Sequence, residues 1–228
     1  MFNIATSLTT QKPMLQLRSI HKRYGSKLVL DIADLDLETG VYWLQGPNGS
    51  GKTTLLRILA GILPFKGDVL LRNPGQKNPV SLRQSPTQYR RLIAWADAEP
   101  QYPGFLTGYD LLDFYRNILH PEPAQVQWLI EGFGAGAWLD SRIAVWSSGM
   151  TKKLSLLLAF LGEPALILLD EPFTTLDQAG RIVLDNLIED RHLRSGASFL
   201  ISSHQEIGPD ALPSAQYLTI NNGRILLK

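Results

Sequence analysis

Eight consecutive residues restrict this chain more than any others: Gly46-Pro47-Asn48-Gly49-Ser50-Gly51-Lys52-Thr53. They match the spacing G-x-x-x-x-G-K-[ST] of a phosphate-binding loop. Glycines let backbone N–H groups converge on phosphate oxygens without side-chain clash. A helix that follows directly points its positive N-terminal end at the same anion. Lys52 then reaches the β- and γ-phosphates of a nucleotide, Thr53 supplies a hydroxyl to Mg²⁺, and Thr54 continues the first turn. The short apolar run Val41 to Leu44 leads into the loop, and Thr53 to Leu63 reads as a helix stopped by Pro64. At average composition the four fixed positions arise by chance in about one chain in a hundred of this length. Such a loop demands an α/β fold with a strand before it and a helix after it.

The rest of the sequence suits that fold. Leu15 to Ile20 alternates as a half-buried strand, a turn falls at Gly25-Ser26, and Lys27 to Leu37 and Gly67 to Leu71 read as further strands. Asn73 to Pro79 is a loop, and Arg91 to Ala96 a strand. Between Glu99 and Gly162 the pattern turns helical. Thr107, with Asp110 three residues on, caps a helix through Leu119; Pro123 opens one through Phe133; Gly149 to Leu161 forms a third. The α/β pattern resumes with strands at Leu166 to Leu169 and Ser198 to Ile201 and a helix from Gln178 to His192. Asn221-Asn222-Gly223 joins Tyr217 to Ile220 and Arg224 to Leu227 as a hairpin.

Composition removes whole classes of function. The 228 residues contain no cysteine, so disulfides and thiolate metal sites are excluded. Net charge is +1, without the electrostatic footprint of a DNA-wrapping protein. The most apolar stretch, Leu154 to Leu161, is far short of the roughly 20 residues a spanning helix needs. Met1 to Pro13 lacks the basic and apolar regions of a signal peptide.

Leu166-Ile167-Leu168-Leu169-Asp170-Glu171 is an apolar strand ending in two carboxylates. At the end of a parallel strand such a pair borders the nucleotide crevice. Asp170 suits the Mg²⁺ hydration shell. Glu171 suits the orientation or deprotonation of an attacking water.

A phosphate loop and an acidic strand end are common to many nucleotide enzymes. Trp146-Ser147-Ser148-Gly149-Met150 narrows the field, because it resembles the ABC (ATP-binding cassette) signature Leu-Ser-Gly-Gly-Gln and lies one helix upstream of the acidic strand. Taken alone, the same residues read better as an ordinary Ser N-cap. The resemblance covers the chain from about Leu15 to its end. It places Tyr24 where the family has an aromatic that stacks on adenine, Thr175-Leu176-Asp177 at the loop crossing a dimer interface, and His204 at the switch histidine. Ser147, Ser148, Gly149 and Met150 would then serve the ATP held by the opposite subunit.

The sequence departs from the family where a glutamine usually follows the Arg91 to Ala96 strand. Counting back from Leu106-Thr107 puts Ala98 there, with Asp97, Glu99 and Gln101 the nearest polar residues. In an extended segment Asp97 and Glu99 point one way, so either carboxylate is a candidate substitute near Mg²⁺, with a solvated surface loop the plainer reading.

The resemblance implies one cassette over residues 1–228. Residues 1–97 and 164–228 would form a P-loop NTPase core with an N-terminal antiparallel β subdomain, and 98–163 an inserted helical subdomain. It implies ATP and Mg²⁺ as ligands, hydrolysis by Glu171 and His204, and a second cassette, identical or not, bound head to tail. A separate transmembrane permease would dock beside residues 98–107, placing the chain in the cytoplasm on the inner face of the membrane, with no nucleic-acid partner. Two other readings are a soluble ABC ATPase acting on ribosomes or DNA, and a nucleotide-gated module that hydrolyses poorly.

Overall fold

The computed structural model describes residues 13–204 and 215–227; residues 1–12, which the sequence gives no signal-peptide character, lie outside the described residues. β1 (Leu15–Tyr24) and β2 (Lys27–Leu37) pair through the Gly25-Ser26 turn, and β3 (Val41–Gln45) enters the loop before α1 (Lys52–Leu59). There follow β4 (Lys66–Leu71), β5 (Val80–Ser81), α2 (Pro86–Arg90) and β6 (Ile93–Ala96). The middle of the chain carries α3 (Gly108–Leu119), α4 (Pro123–Gly132) and α5 (Ser148–Ala159). β7 (Leu166–Asp170), α6 (Gln178–Ser195), β8 (Ser198–Ser202), β9 (Ala215–Asn221) and β10 (Arg224–Leu227) complete it.

The strands form two sheets. A small antiparallel sheet has the order β2-β1-β4-β5, and a larger one the order β10-β9-β3-β8-β7-β6. In the larger sheet β9, β3, β8, β7 and β6 run parallel, and β10 is antiparallel at one edge. Every residue of β7 and β8 is buried. That explains their unbroken apolar runs, since a parallel strand covered on both faces needs no polar side. Trp43, Ile167, Leu169, Phe199 and Ile201 face one core. Tyr42, Leu44, Leu166, Leu168 and Leu200 face the other, against Leu55 and Leu59 of α1. Leu112 of α3, Leu129 of α4 and Leu157 of α5 belong to the first core, so the mid-chain helices build on the sheet's own hydrophobic face.

The helix caps follow from local chemistry. Thr107 Oγ1 accepts from Asp110 N at 3.1 Å and Asp110 Oδ2 accepts from Thr107 N at 2.8 Å, a closed capping box at the start of α3. α1 ends at Leu59, earlier than the Pro64 stop predicts, because Gly61 at φ 69° supplies the left-handed turn that terminates it. β5 and α2 carry no periodicity that sequence could reveal, being two and five residues long. Within α2, Tyr89 is fully buried and donates its hydroxyl to Leu59 O at 2.9 Å, tying this turn to the end of α1.

Candidate functional site

The parallel sheet brings three loops to one level. Leu44 of β3 pairs with Ser202 of β8, and Ser202 pairs with Asp170 of β7. The phosphate loop, the acidic pair and the Ser202-Ser203-His204 segment therefore leave the carboxyl ends of three adjacent strands in one row. That is where ligands bind in open α/β sheets. A cleft of about 440 Å³ lies there, lined by Tyr24, Lys52, Thr53, Thr54, Glu171 and His204, together with Asn48 and Gly49 of the loop.

Glycine is required in this loop by space as well as by backbone. A Cβ on Gly46 would stand 2.6 Å from Ile220 O, and Gly51, at φ 109°, packs against Leu30 and Val29. Pro47 O accepts from Ser50 N at 3.1 Å, which closes the turn. Lys52 Nζ donates to Gly46 O at 2.7 Å and to Pro47 O at 3.3 Å, so a largely buried ammonium sits at the mouth of the loop. α1 starts at Lys52, and its free N–H groups face the same region.

Ser202, fully buried, organises the acidic pair. Its hydroxyl donates to Asp170 Oδ1 at 2.5 Å and accepts from Glu171 N at 3.1 Å. Asp170 Oδ2 is buried and has no hydrogen-bond partner among the described residues. An orphaned carboxylate oxygen at the carboxyl end of β7, next along the row from Ser202, fits a hard divalent cation that takes few protein oxygens and fills its shell with phosphate and water. The residues present therefore fit Mg²⁺. Glu171 adopts φ 46°, a strained backbone for a residue with a side chain. Its carboxylate reaches His204, with Oε2 2.8 Å from Nδ1.

Tyr24 is half exposed, and Lys22 Nζ lies 4.9 Å from its ring centroid while donating to Pro64 O at 2.7 Å. The signature segment is not among the residues lining the cleft. Ser147 caps α5, its Oγ accepting from Met150 N at 3.2 Å; Ser147 and Ser148 are exposed. Gly149 approaches the Thr175-Leu176-Asp177 loop, where a Cβ would come within 3.2 Å of Thr175 O. Lys153 pairs with Asp177, the N-cap of α6, at 3.1 Å. Gly180 N and Lys153 together hold the Asp177 carboxyl below its ordinary pKa. Trp146 meets Trp138 edge to face at 4.7 Å and donates Nε1 to Ser141 Oγ at 2.7 Å, a support for the segment from behind.

The residues around Ala98 are arranged differently from the expected substitute ligands. Asp97 Oδ2 accepts from Arg57 of α1 at 3.2 Å, and Glu99 is exposed; neither lines the cleft. Sequence reasoning misses two residues here. Ser202 stands in a motif whose histidine draws the attention, and Lys152 looks like an ordinary helix-surface lysine. Lys152 is 1% exposed. Burial pushes its pKa down to about 8, against the surrounding carboxylates of Asp170, Asp97, Glu171 and Glu99, which raise it.

Comparison with known proteins agrees with this geometry. A family model described as ABC transporter matches residues 30–174. The ABC transporter ATP-binding protein YdbJ of Bacillus subtilis is 30% identical over 199 residues, which are 85% of this chain and 62% of that protein. The chain thus spans less than two thirds of that relative's length. The cytochrome c biogenesis ATP-binding export protein CcmA of Histophilus somni is 29% identical over 222 residues, 94% of this chain and 99% of that protein. A solved ATP-binding subunit of an ABC transporter superposes with a TM-score of 0.79 over 93% of this chain at 24% identity, a likeness of fold.

Proposed function

The chain belongs to the ABC transporter family, and on that premise we propose that it binds and hydrolyses Mg²⁺-ATP to drive a separate membrane permease. The observation that supports this best is the single row formed by the phosphate loop, Asp170 and Ser202, with Glu171 and His204 opening onto the same cleft.

In this reading Tyr24 stacks on adenine. The loop amides and Lys52 neutralise the β- and γ-phosphates, so negative charge that shifts toward the leaving oxygen is met by fixed donors. Thr53 and Asp170 would hold Mg²⁺, which would supply charge neutralisation on the phosphates. Glu171 takes a proton from the attacking water as its oxygen bonds to the γ-phosphorus and the bond from that phosphorus to the β–γ bridging oxygen breaks, leaving ADP and phosphate. His204, bonded to the same carboxylate, fixes its direction. Ser147, Ser148, Gly149 and Met150 act on the ATP of a second cassette, which makes ATP an interfacial ligand in a two-fold dimer. Loss of the γ-phosphate removes contacts from both sides, and the dimer relaxes.

No helix among the described residues is long and apolar enough to cross a membrane. A permease docked beside residues 98–107 would hold this subunit on the cytoplasmic face. Affinity purification of the full chain from detergent-solubilised membranes tests this. Recovery of a polytopic membrane protein in stoichiometric amount is the expected result, and recovery of nucleic acid or ribosomal protein instead would overturn it.

A further inference from the structure

β6 and β7 part company directly beside the catalytic residues. Their last paired residues are Ala96 and Leu169, after which the β6 chain turns away at Asp97 and β7 ends at Asp170. A parallel ladder that stops abruptly leaves carbonyls without strand partners, and in a buried position each must be satisfied. Here one side chain meets three of them. Lys152 Nζ, carried on α5, donates to Asp97 O at 2.9 Å, to Ala98 O at 3.0 Å and to Asp170 O at 3.0 Å. An ammonium has three donors and no acceptor, so its capacity matches these three carbonyls. The planar fork of arginine does not reproduce that convergence, and glutamine has one donor too few.

From this junction we infer that Lys152 is a positioning residue, which ties the loop at Ala98 and the signature helix to the end of β7 where Asp170 would hold Mg²⁺. The inference rests on the ATP-hydrolysing reading above. The methyl group of Ala98 carries no donor or acceptor with which to reach a metal. The backbone carbonyl of Ala98 does have a route: it is one Lys152 ammonium away from the main chain of Asp170. The other side of the loop is held by Asp97 against Arg57 of α1, so the loop spans the phosphate-loop helix and the signature helix. A shift of α5 or of the loop therefore moves the carbonyl of Asp170. Its carboxylate, already fixed by Ser202, moves with it, as does the strained start of Glu171.

Binding of a fluorescent ATP analogue to the full chain, measured with and without Mg²⁺, tests this, alongside turnover of ATP. For Lys152→Met the expected affinity without Mg²⁺ lies within twofold of the unmodified chain. The gain in affinity on adding Mg²⁺ is expected to shrink at least tenfold, and kcat to fall at least tenfold. Lys152→Arg, which keeps the charge and the fold more readily, shows the same ordering in smaller measure and serves if the methionine variant does not fold. Amide exchange is expected to rise in residues 97–101 and 170–172 and to stay unchanged in α1. An unchanged Mg²⁺ gain, or exchange that rises evenly throughout, would overturn the inference. An unmodified chain that binds no nucleotide would refute the proposed function instead.

Discussion

Nδ1 of His204 and Oε2 of Glu171 stand 2.8 Å apart across the ends of β8 and β7. Glu171 is the more enclosed of the two, its side chain 19% exposed against 45% for His204. The histidine thus reaches in from the rim and restrains a carboxylate that already sits on an unusual backbone. His204→Ala is expected to lower kcat at least tenfold, about 1.4 kcal/mol of transition-state stabilisation, while ATP affinity stays within about threefold. Phosphate-release kinetics and equilibrium binding separate the two. Unaltered kcat would mean that the contact orients nothing that matters to the reaction.

Lys52→Ala removes the ammonium at the mouth of the phosphate loop. The loop keeps its glycine geometry, yet the fixed positive charge facing the β- and γ-phosphates is gone. Loss of measurable ATP binding at millimolar nucleotide is expected by calorimetry. Near-normal affinity would contradict the assignment of this loop.

Ser202→Ala deletes a hydroxyl that serves the buried Asp170 Oδ1 and the part-buried Glu171 N. Leaving the buried carboxylate oxygen unpaired costs about 1–3 kcal/mol. Urea denaturation is expected to show a loss in that range, and turnover to fall as the acidic pair loosens. A variant as stable and as active as the parent would show that water replaces the hydroxyl without penalty.

Much of the fold and of the cleft is legible in the amino-acid sequence. The loop Gly46 to Thr53 and the strand Leu166 to Asp170 announce themselves because short-range spacing alone encodes them. The Thr107–Asp110 cap is equally local. What stays hidden depends on where distant segments meet. Lys152 is separated by 54 residues from the Ala98 carbonyl it serves, and nothing in its helix marks it as buried. Asp97 is taken up by Arg57, 40 residues away, which no alternation pattern around Ala98 could disclose. The end of α1 is misplaced by sequence because Pro64 looks like the breaker, whereas Gly61 has already turned the chain.

The proposed mechanism turns on Glu171 activating the water that attacks Mg²⁺-ATP. Glu171→Gln keeps size and removes the base. The purified full chain and this variant should be compared in phosphate release and in size-exclusion chromatography with Mg²⁺-ATP. The expected result is ATP binding of parental strength, turnover reduced at least a hundredfold, and a nucleotide-dependent dimer trapped in the variant. Turnover at the parental rate, or a variant that binds ATP and remains monomeric, would contradict it.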